Sequence, residues 1–490
     1  MTTLLLVNIG NSDLLVDGRR MQRPRPDGQA LWETFAQHQI EAPIIEPCLR
    51  ELLRAVPRID RVLLFVTDQP DTAETRVPDR FGVALRDKDT IWFGQIVARL
   101  LRERFGDALG EIALVTIARA DGRAINPSMY DEAFEAYGEL IARHYDPDVT
   151  ACYALMAGGI PACNTALQLQ AISAYGERCR TIYQPEGGAP YELRVGAQVL
   201  ATFRRATLID ALGRRDFATA LALAPRAAGD DLAGLIAYAH YRECFDFELA
   251  QQALADALRA ASGEVRTFLG ALRGELDDLR TREDIGALLR ELMASAEITF
   301  GNGRYADFLG RVFRFQEAAL RYIVEVKLGL PTDMRKERRA VNGPAFVQGI
   351  AATPALKAAL DAVTIDGTPL RYDTPNLPTM HAMLDYILTP GTTRPDGAPC
   401  LSKAEAGRYG EVRRRLNRLT SLAQLRNQSV IAHGFAGVSR KRLEEAYGGD
   451  PSGLLADMRK VLELLGLPAG PSPLDRIADF VIAQLRRGAR

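Results

Sequence analysis

Hydrophobic residues in the first two hundred positions gather into short runs, each ending in a polar or glycine-rich stretch. Leu4 to Ile9 is a short apolar run that passes into Gly10-Asn11-Ser12-Asp13. That is the pattern of a strand buried on both faces that delivers a polar loop at its carboxyl end. Arg61 to Val66 repeats it and ends in Thr67-Asp68-Gln69, Glu111 to Ile117 is a third run, and Thr150 to Met156 a fourth, leading into Ala157-Gly158-Gly159-Ile160-Pro161. Helix-compatible sequence separates the runs, and Ala162 to Tyr175 reads as a helix after the fourth. Alternation of this kind predicts an α/β, Rossmann-like domain on a parallel sheet.

From about Arg204 the strand pattern stops and apolar residues recur at helical spacing. Amphipathic helices are predicted over Phe217 to Leu223, Leu232 to Arg259, Gly286 to Ser295 and Tyr305 to Leu328, and Gly391 to Pro399 reads as a loop between helical blocks. The sequence shows no internal repeat and no low-complexity tract. The organisation expected is an α/β domain over 1–203, a helical linker over 204–295 and a second all-α domain over 296–490.

In open parallel sheets, ligands bind outside the carboxyl ends of the strands. Three of the predicted ends carry small or polar residues, GNSD, TDQ and AGGIPACN, so these loops are expected to form one pocket. Gly158 and Gly159 permit close backbone approach; they equally suit a tight strand-to-helix turn. Asn11, Ser12, Asp13 and Asp68 can likewise serve as caps of the elements that follow them.

Composition narrows the field. Sixty-one basic against sixty-two acidic residues leave a net charge of -1, which argues against a protein that coats duplexes through counterion release. The six cysteines lie far apart with no CxxC pair, so neither a disulfide framework nor a zinc knuckle is signalled, and no metal is expected. The opening MTTLLLVNIG has no basic leader, and the chain contains no apolar run of membrane-spanning length. A cytoplasmic protein without a membrane partner is expected.

Only five histidines are present, His38, His144, His240, His381 and His433, so chemistry that needs an imidazole has few candidates. His433 closes the richest local signal, Arg426-Asn427-Gln428-Ser429-Val430-Ile431-Ala432-His433-Gly434. If the segment is helical, a spacing of seven residues returns Arg426 and His433 to nearly the same face. Such a pair suits cleavage of an RNA phosphodiester, which carries its own 2′-hydroxyl nucleophile and needs proton transfer and charge stabilisation rather than a metal. His433 would move the proton, Arg426 would fork onto phosphate oxygens and Asn427 would orient either partner. The same two side chains could instead cap a helix C-terminus.

Taken together, these motifs resemble the CARF-HEPN ribonucleases, accessory effectors of type III CRISPR systems, over most of the chain. GNSDL after the first strand, TDQ after the second and a GG-x-P-x-x-N turn after the fourth look like the CARF pattern; RNQSVIAHG looks like the HEPN motif. The resemblance implies a CARF domain that binds a cyclic oligoadenylate as activator, through Asn11, Ser12, Asp13, Thr67, Asp68, Gly158, Gly159, Ile160, Pro161 and Asn164. Position 160 is Ile where many members carry Thr. It implies a HEPN domain whose Arg426, Asn427 and His433 build a composite site for single-stranded RNA in a homodimer, with no cofactor. In some members the CARF domain also degrades its activator. The link to the type III CRISPR complex would be functional, without stable binding. A nucleotide-sensing regulatory or interaction protein with an inactive helical half is the alternative. A dinucleotide oxidoreductase is disfavoured because GNSD stands where G-x-G-x-x-G would be needed. A transcription factor is disfavoured because no helix-turn-helix or basic recognition helix is evident.

Overall fold

The computed structural model of the chain describes residues 2–78, 82–119, 121, 123, 125–156, 158–185, 188–280, 284–365, 367–467 and 470–488. The chain divides into two compact units, Met1–Phe203 and Arg204–Arg490.

Six strands of the first unit form one sheet: β1 (Thr2–Asn8), β2 (Ile59–Val66), β3 (Leu109–Thr116), β4 (Val149–Met156), β5 (Cys179–Tyr183) and β6 (Tyr191–Leu193), in spatial order β3-β2-β1-β4-β5-β6. All neighbours are parallel except β6, which runs antiparallel to β5. In register, Leu4 lies opposite Arg61 on one side and Cys152 on the other. Leu4 to Val7 of the central strand are apolar because both faces of the strand are covered. Leu5, Val7, Val62 and Leu64 point into a core with α1 (Pro24–Thr34), α2 (Ile45–Ala55) and α3 (Ile91–Phe105). The alternate residues Leu4, Leu6, Leu63 and Phe65 point into the opposite core with α4 (Tyr130–His144) and α5 (Pro161–Tyr175).

The four strands read from the sequence are present, each starting one or two residues earlier than expected. β5 and β6, short strands at one edge, were not foreseen. Neither was a small three-stranded sheet of Leu15–Val16, Arg19–Arg20 and Ile40–Glu41. Its hairpin turns on Asp17-Gly18, both at positive φ, the Asp-Gly signature of a two-residue turn.

The chain winds from β1 outward through β2 and β3, then returns to lay β4 on the other side of β1. Strand order therefore reverses between β1 and β4. A sheet of this kind opens a crevice at the reversal, outside the strands' carboxyl ends.

Helix α6 (Val195–Gly213) contains the boundary between the units. The second unit continues with α7 (Phe217–Ala227), α8 (Asp230–Glu243), α9 (Phe247–Ala260), α10 (Gly263–Arg280), α11 (Ile285–Gly301) and α12 (Tyr305–Leu328). There follow α13 (Lys336–Ala351), α14 (Pro354–Asp361), α15 (Leu377–Leu388), α16 (Lys403–Thr420), α17 (Ala423–Gln428), α18 (Arg440–Tyr447), α19 (Ser452–Leu464) and α20 (Pro473–Arg487). The departure from an all-α unit is a hairpin of Thr364–Ile365 with Thr368–Pro369. Helix α11 runs through residue 295, where the sequence suggested a domain boundary. It serves two cores at once, Leu289 and Ala296 in one and Ala294 and Ile298 in the other.

The single helix expected over Leu232 to Arg259 is broken at Cys244-Phe245-Asp246. Phe245 takes φ 62°, and Asp246 caps α9 by accepting the Leu249 N–H at 3.0 Å. The same turn joins α6 to α7 and α11 to α12. In each, the residue at positive φ (Arg215, Phe245, Gly303) donates its N–H to the carbonyl three residues back, and the next residue to the carbonyl five back. The same pair of hydrogen bonds recurs at Gly466 after α19, so among the described residues one turn ends four helices in a sequence without a visible repeat.

Two tertiary ties hold this unit. Arg242, buried on α8, makes a bidentate pair with buried Glu291 on α11 at 2.8 and 2.9 Å and donates to Tyr238 Oη at 2.8 Å. Helix α20 returns to the first hairpins: Ile477 and Val481 share a core with Leu208, Phe217 and Leu235, and Arg215 pairs with Asp475 at 2.6 Å and Asp479 at 2.9 Å.

Candidate functional site

At the reversal between β1 and β4 two loops meet backbone to backbone. A Cβ on Gly10 would lie 1.9 Å from the Gly159 amide nitrogen, and one on Gly158 would lie 1.8 Å from Asp13 Oδ2. Gly158 and Gly159 take φ 56° and 71°, a region that suits glycine. Both the tight turn and the close approach anticipated from the sequence are therefore present at once. Ile160 is extended, as a residue before proline must be, and Pro161 occupies the first turn of α5.

Buried side chains brace the junction. Asn8, at the end of β1, accepts a hydrogen bond from Tyr137 Oη at 2.5 Å and donates Nδ2 to Asn164 Oδ1 at 2.8 Å; Asn164 Nδ2 donates to the Gly158 carbonyl at 2.7 Å. The polar atoms of Asn164, expected to touch an activator, are thus engaged in holding the glycine loop. Asp13 ends a 3-10 turn over Asn11–Asp13 and is 0% exposed. Its Oδ2 accepts the Gly10 N–H at 2.6 Å, and among the described residues Oδ1 has no partner. Burial pushes this carboxyl up to about 7, against the opposing effect of the Gly10 N–H. Asn11, Gly159 and Pro161 are exposed, and Ser12, Gly158 and Ile160 half-buried, so the surface offered to a ligand is mostly backbone, at the N-terminus of a fifteen-residue helix. Such a surface suits an anion.

Thr67 and Asp68 follow β2, whose Phe65 carbonyl accepts the Ile9 N–H at 3.0 Å beyond the end of β1. They line a cleft of about 360 Å³ at the carboxyl ends of β2 and β3, together with Gln69, Arg86, Thr116 and Ile125; none of the other predicted activator residues lines it. Thr67 and Thr90 exchange hydrogen bonds, each amide donating to the other's hydroxyl at 3.1 and 3.0 Å. Asp68 is paired with Arg25, which also holds buried Asp89 at 3.0 Å, and Asp89 accepts the Gln69 N–H at 2.8 Å. Burial raises the Asp89 carboxyl although Arg25 and the Gln69 amide favour its charge.

In the helical unit the continuous helix expected across Arg426 to His433 ends at Gln428, and His433 sits on a loop. The cause is local. Ser429 turns extended, its hydroxyl donating to the Arg426 carbonyl at 2.8 Å and accepting the Ile431 N–H at 3.3 Å. A serine that bonds the backbone behind it competes with helix, and the β-branched Val430 and Ile431 add no helical preference. The loop then closes on itself: Ala432 and Gly434 donate to the Ser429 carbonyl at 3.1 and 3.2 Å, and Ala436 donates to the Gln428 carbonyl at 2.9 Å. A Cβ on Gly434 would lie 1.9 Å from that Gln428 oxygen.

Arg426 lies over the Phe313 ring at 4.8 Å and donates Nε and Nη2 to Asn427 Oδ1 at 3.1 and 2.9 Å. Asn427 therefore fixes the direction of the guanidinium. His433 is exposed, and among the described residues no hydrogen bond joins it to Arg426 or Asn427. Behind this segment, buried Asp457 on α19 holds Arg415 of α16 at 2.6 Å and accepts from Tyr447 Oη on α18 at 2.8 Å, fixing the helices on either side. Among the described residues no group of three or more His, Cys, Asp or Glu side chains is placed to hold a metal ion, and no helix is long and apolar enough to cross a membrane.

Several supporting residues were not picked out from the sequence: Asn8 and Tyr137 beneath the glycine loop, Arg25 and Asp89 behind Asp68, and Phe313 beneath Arg426. An asparagine closing an otherwise apolar strand was the one local sign among them.

No protein-family model matches the chain, and no curated protein matches it. Among solved structures it is similar to Enterococcus italicus Csm6 bound to cyclic hexa-2'-fluoro-hexa-dAMP, with 13% sequence identity and a TM-score of 0.49 over 99% of this chain and 100% of that one.

Proposed function

We propose that the chain is a ribonuclease switched on by a cyclic oligoadenylate, with residues 1–203 as the CARF sensor, 204–295 as a helical linker and 296–490 as the HEPN nuclease. The observation that carries this reading is the closed loop 429–436, which presents the exposed His433 just beyond a helix end bearing Arg426. The glycine junction at the sheet reversal supports the sensor half, because it lies at the N-terminus of α5, where an anionic ligand is favoured.

The chemistry follows from the substrate. The 2′-oxygen of RNA attacks phosphorus and the bond to the 5′-oxygen breaks, leaving a 2′,3′-cyclic phosphate. A base must take the 2′-hydroxyl proton and an acid must protonate the departing 5′-oxygen. One copy of the loop brings one imidazole, so two copies of His433 in a homodimer supply both groups. Arg426, held over the Phe313 ring and aimed by Asn427, stabilises charge on the phosphoryl oxygens.

The test is cleavage of a fluorescence-quenched RNA reporter in EDTA, against a panel of cyclic oligoadenylates, with wild type and His433→Ala. Stimulation by one ring size that the variant abolishes is the expected result. Absence of cleavage with every ring size refutes the nuclease reading and leaves a nucleotide-sensing regulatory protein.

A further inference from the structure

Phe435, two residues after His433, is 96% exposed, and Val430 and Ile431 on the same loop are 60% and 36% exposed. Bare aromatic rings of this degree are uncommon on a folded surface and mark a contact. The loop that carries Phe435 is not slack, because the Gln428 carbonyl accepts from Ala436 and the Ser429 carbonyl from Gly434 on either side of it. The ring is therefore presented, not merely left over.

The surroundings indicate what meets it. From Arg426 to Leu443 the chain contains Arg426, Arg440, Lys441 and Arg442 and no carboxylate; Arg440 pairs with Asp450 at 3.1 Å and Lys441 with Glu445 at 3.9 Å, both pairs at the surface, where they are weak and a phosphate can compete for the cations. The first turn of α18 folds back on the loop, Arg442 donating to the Gly437 carbonyl at 2.8 Å, and the Lys441 side chain is 84% exposed. An exposed aromatic beside a run of cations is the combination that binds single-stranded nucleic acid: each base offers a face to the ring and each phosphate a charge to the arginines and lysine.

We infer that Phe435 stacks on a base of single-stranded RNA beside the scissile phosphate, and that Arg440, Lys441 and Arg442 hold the phosphates beyond it. The inference rests on the ribonuclease reading for the position of the scissile bond. The base-stacking contact itself can be measured without cleavage.

The experiment compares the full chain with Phe435→Ala and Phe435→Trp. Reporter cleavage is measured for KM and kcat. In the His433→Ala background, binding of single-stranded RNA containing 2-aminopurine is followed by fluorescence quenching, and sedimentation velocity gives the size of each variant. Removing the ring is expected to weaken RNA binding and raise KM about tenfold with a much smaller change in kcat, while Trp restores both. Quenching and KM equal to wild type in Phe435→Ala overturn the inference, as does a Phe435→Ala protein that sediments as a smaller species, which would mean a second copy covers the ring. If wild type cleaves nothing, the nuclease reading falls, and the quenching measurement still decides the stacking contact.

Discussion

Replacing Asp13 by asparagine tests the electrostatics of the sheet reversal directly. In the folded chain burial raises this carboxyl from its ordinary 3.8 to about 7, a difference worth roughly 4 kcal/mol when fully expressed. The fold keeps a proton that the unfolded chain has given up, so the stability contributed by this group is whole below pH 3.8 and is lost as the pH rises through about 7. Applied between pH 5 and pH 8, the linkage relation gives a loss of roughly 2.5 kcal/mol from Asp13 alone. The substituted amide would keep an oxygen for the Gly10 N–H, which now donates to Asp13 at 2.6 Å, and would not ionise. The chain's two tryptophans, Trp32 and Trp92, both lie in the first unit with ring centroids 6.5 Å apart, so their fluorescence follows that unit through guanidinium unfolding. Wild type should lose the calculated stability relative to Asp13→Asn over this pH range, since other titrating groups cancel in the comparison. Parallel pH profiles for the two proteins would refute the assignment of a proton to buried Asp13.

Three further outcomes are expected. Gly158→Ala places a Cβ 1.8 Å from Asp13 Oδ2 at φ 56° and should lower first-unit stability by about 3 kcal/mol; an unmoved tryptophan transition would contradict it. Arg242→Leu strands the buried Glu291 carboxylate and should cost about 3–5 kcal/mol in a circular-dichroism melt, most of it recovered when Glu291→Leu is added; no recovery in the double variant would sink the ion-pair argument. Gly434→Ala sets a Cβ 1.9 Å from the Gln428 carbonyl and should cut RNA cleavage about a hundredfold by opening the His433 loop, with a change in melting stability under about 1 kcal/mol; full activity would show that loop closure is not needed.

The legible part of this protein is the part set by local pattern. The middle of a strand covered on both faces is apolar on successive residues, so the centres of β1, β2 and β4 are legible in the sequence, and the ends of β1 and β4 mark the glycine junction. What pattern did not carry were contacts made at long range. Asn164 stands in the expected turn, but its partner Asn8 lies 156 residues away, so its bracing of the glycine loop had no local sign. Phe313 is separated from Arg426 by four helices. The error over Arg426 to His433 has a different origin: periodicity extended a helix through Ser429, where a single hydroxyl bonded to the backbone ends it. The turn at Phe245 uses neither glycine nor proline, and Asp246 as a cap is its one local mark.

The return of α20 to the first helical hairpins bears on how the chain can fold as it is made. Leu208, Phe217 and Leu235 reach their full core only with Ile477 and Val481, and Arg215 finds its carboxylates only on α20. At ordinary rates of translation the roughly 200 residues between α10 and α20 take about 10 to 40 seconds to emerge. Throughout that interval the early hairpins carry an uncovered apolar groove, which makes this stretch the place where a chaperone would engage the nascent chain and where removal of α20 would leave a collapsed, aggregation-prone product.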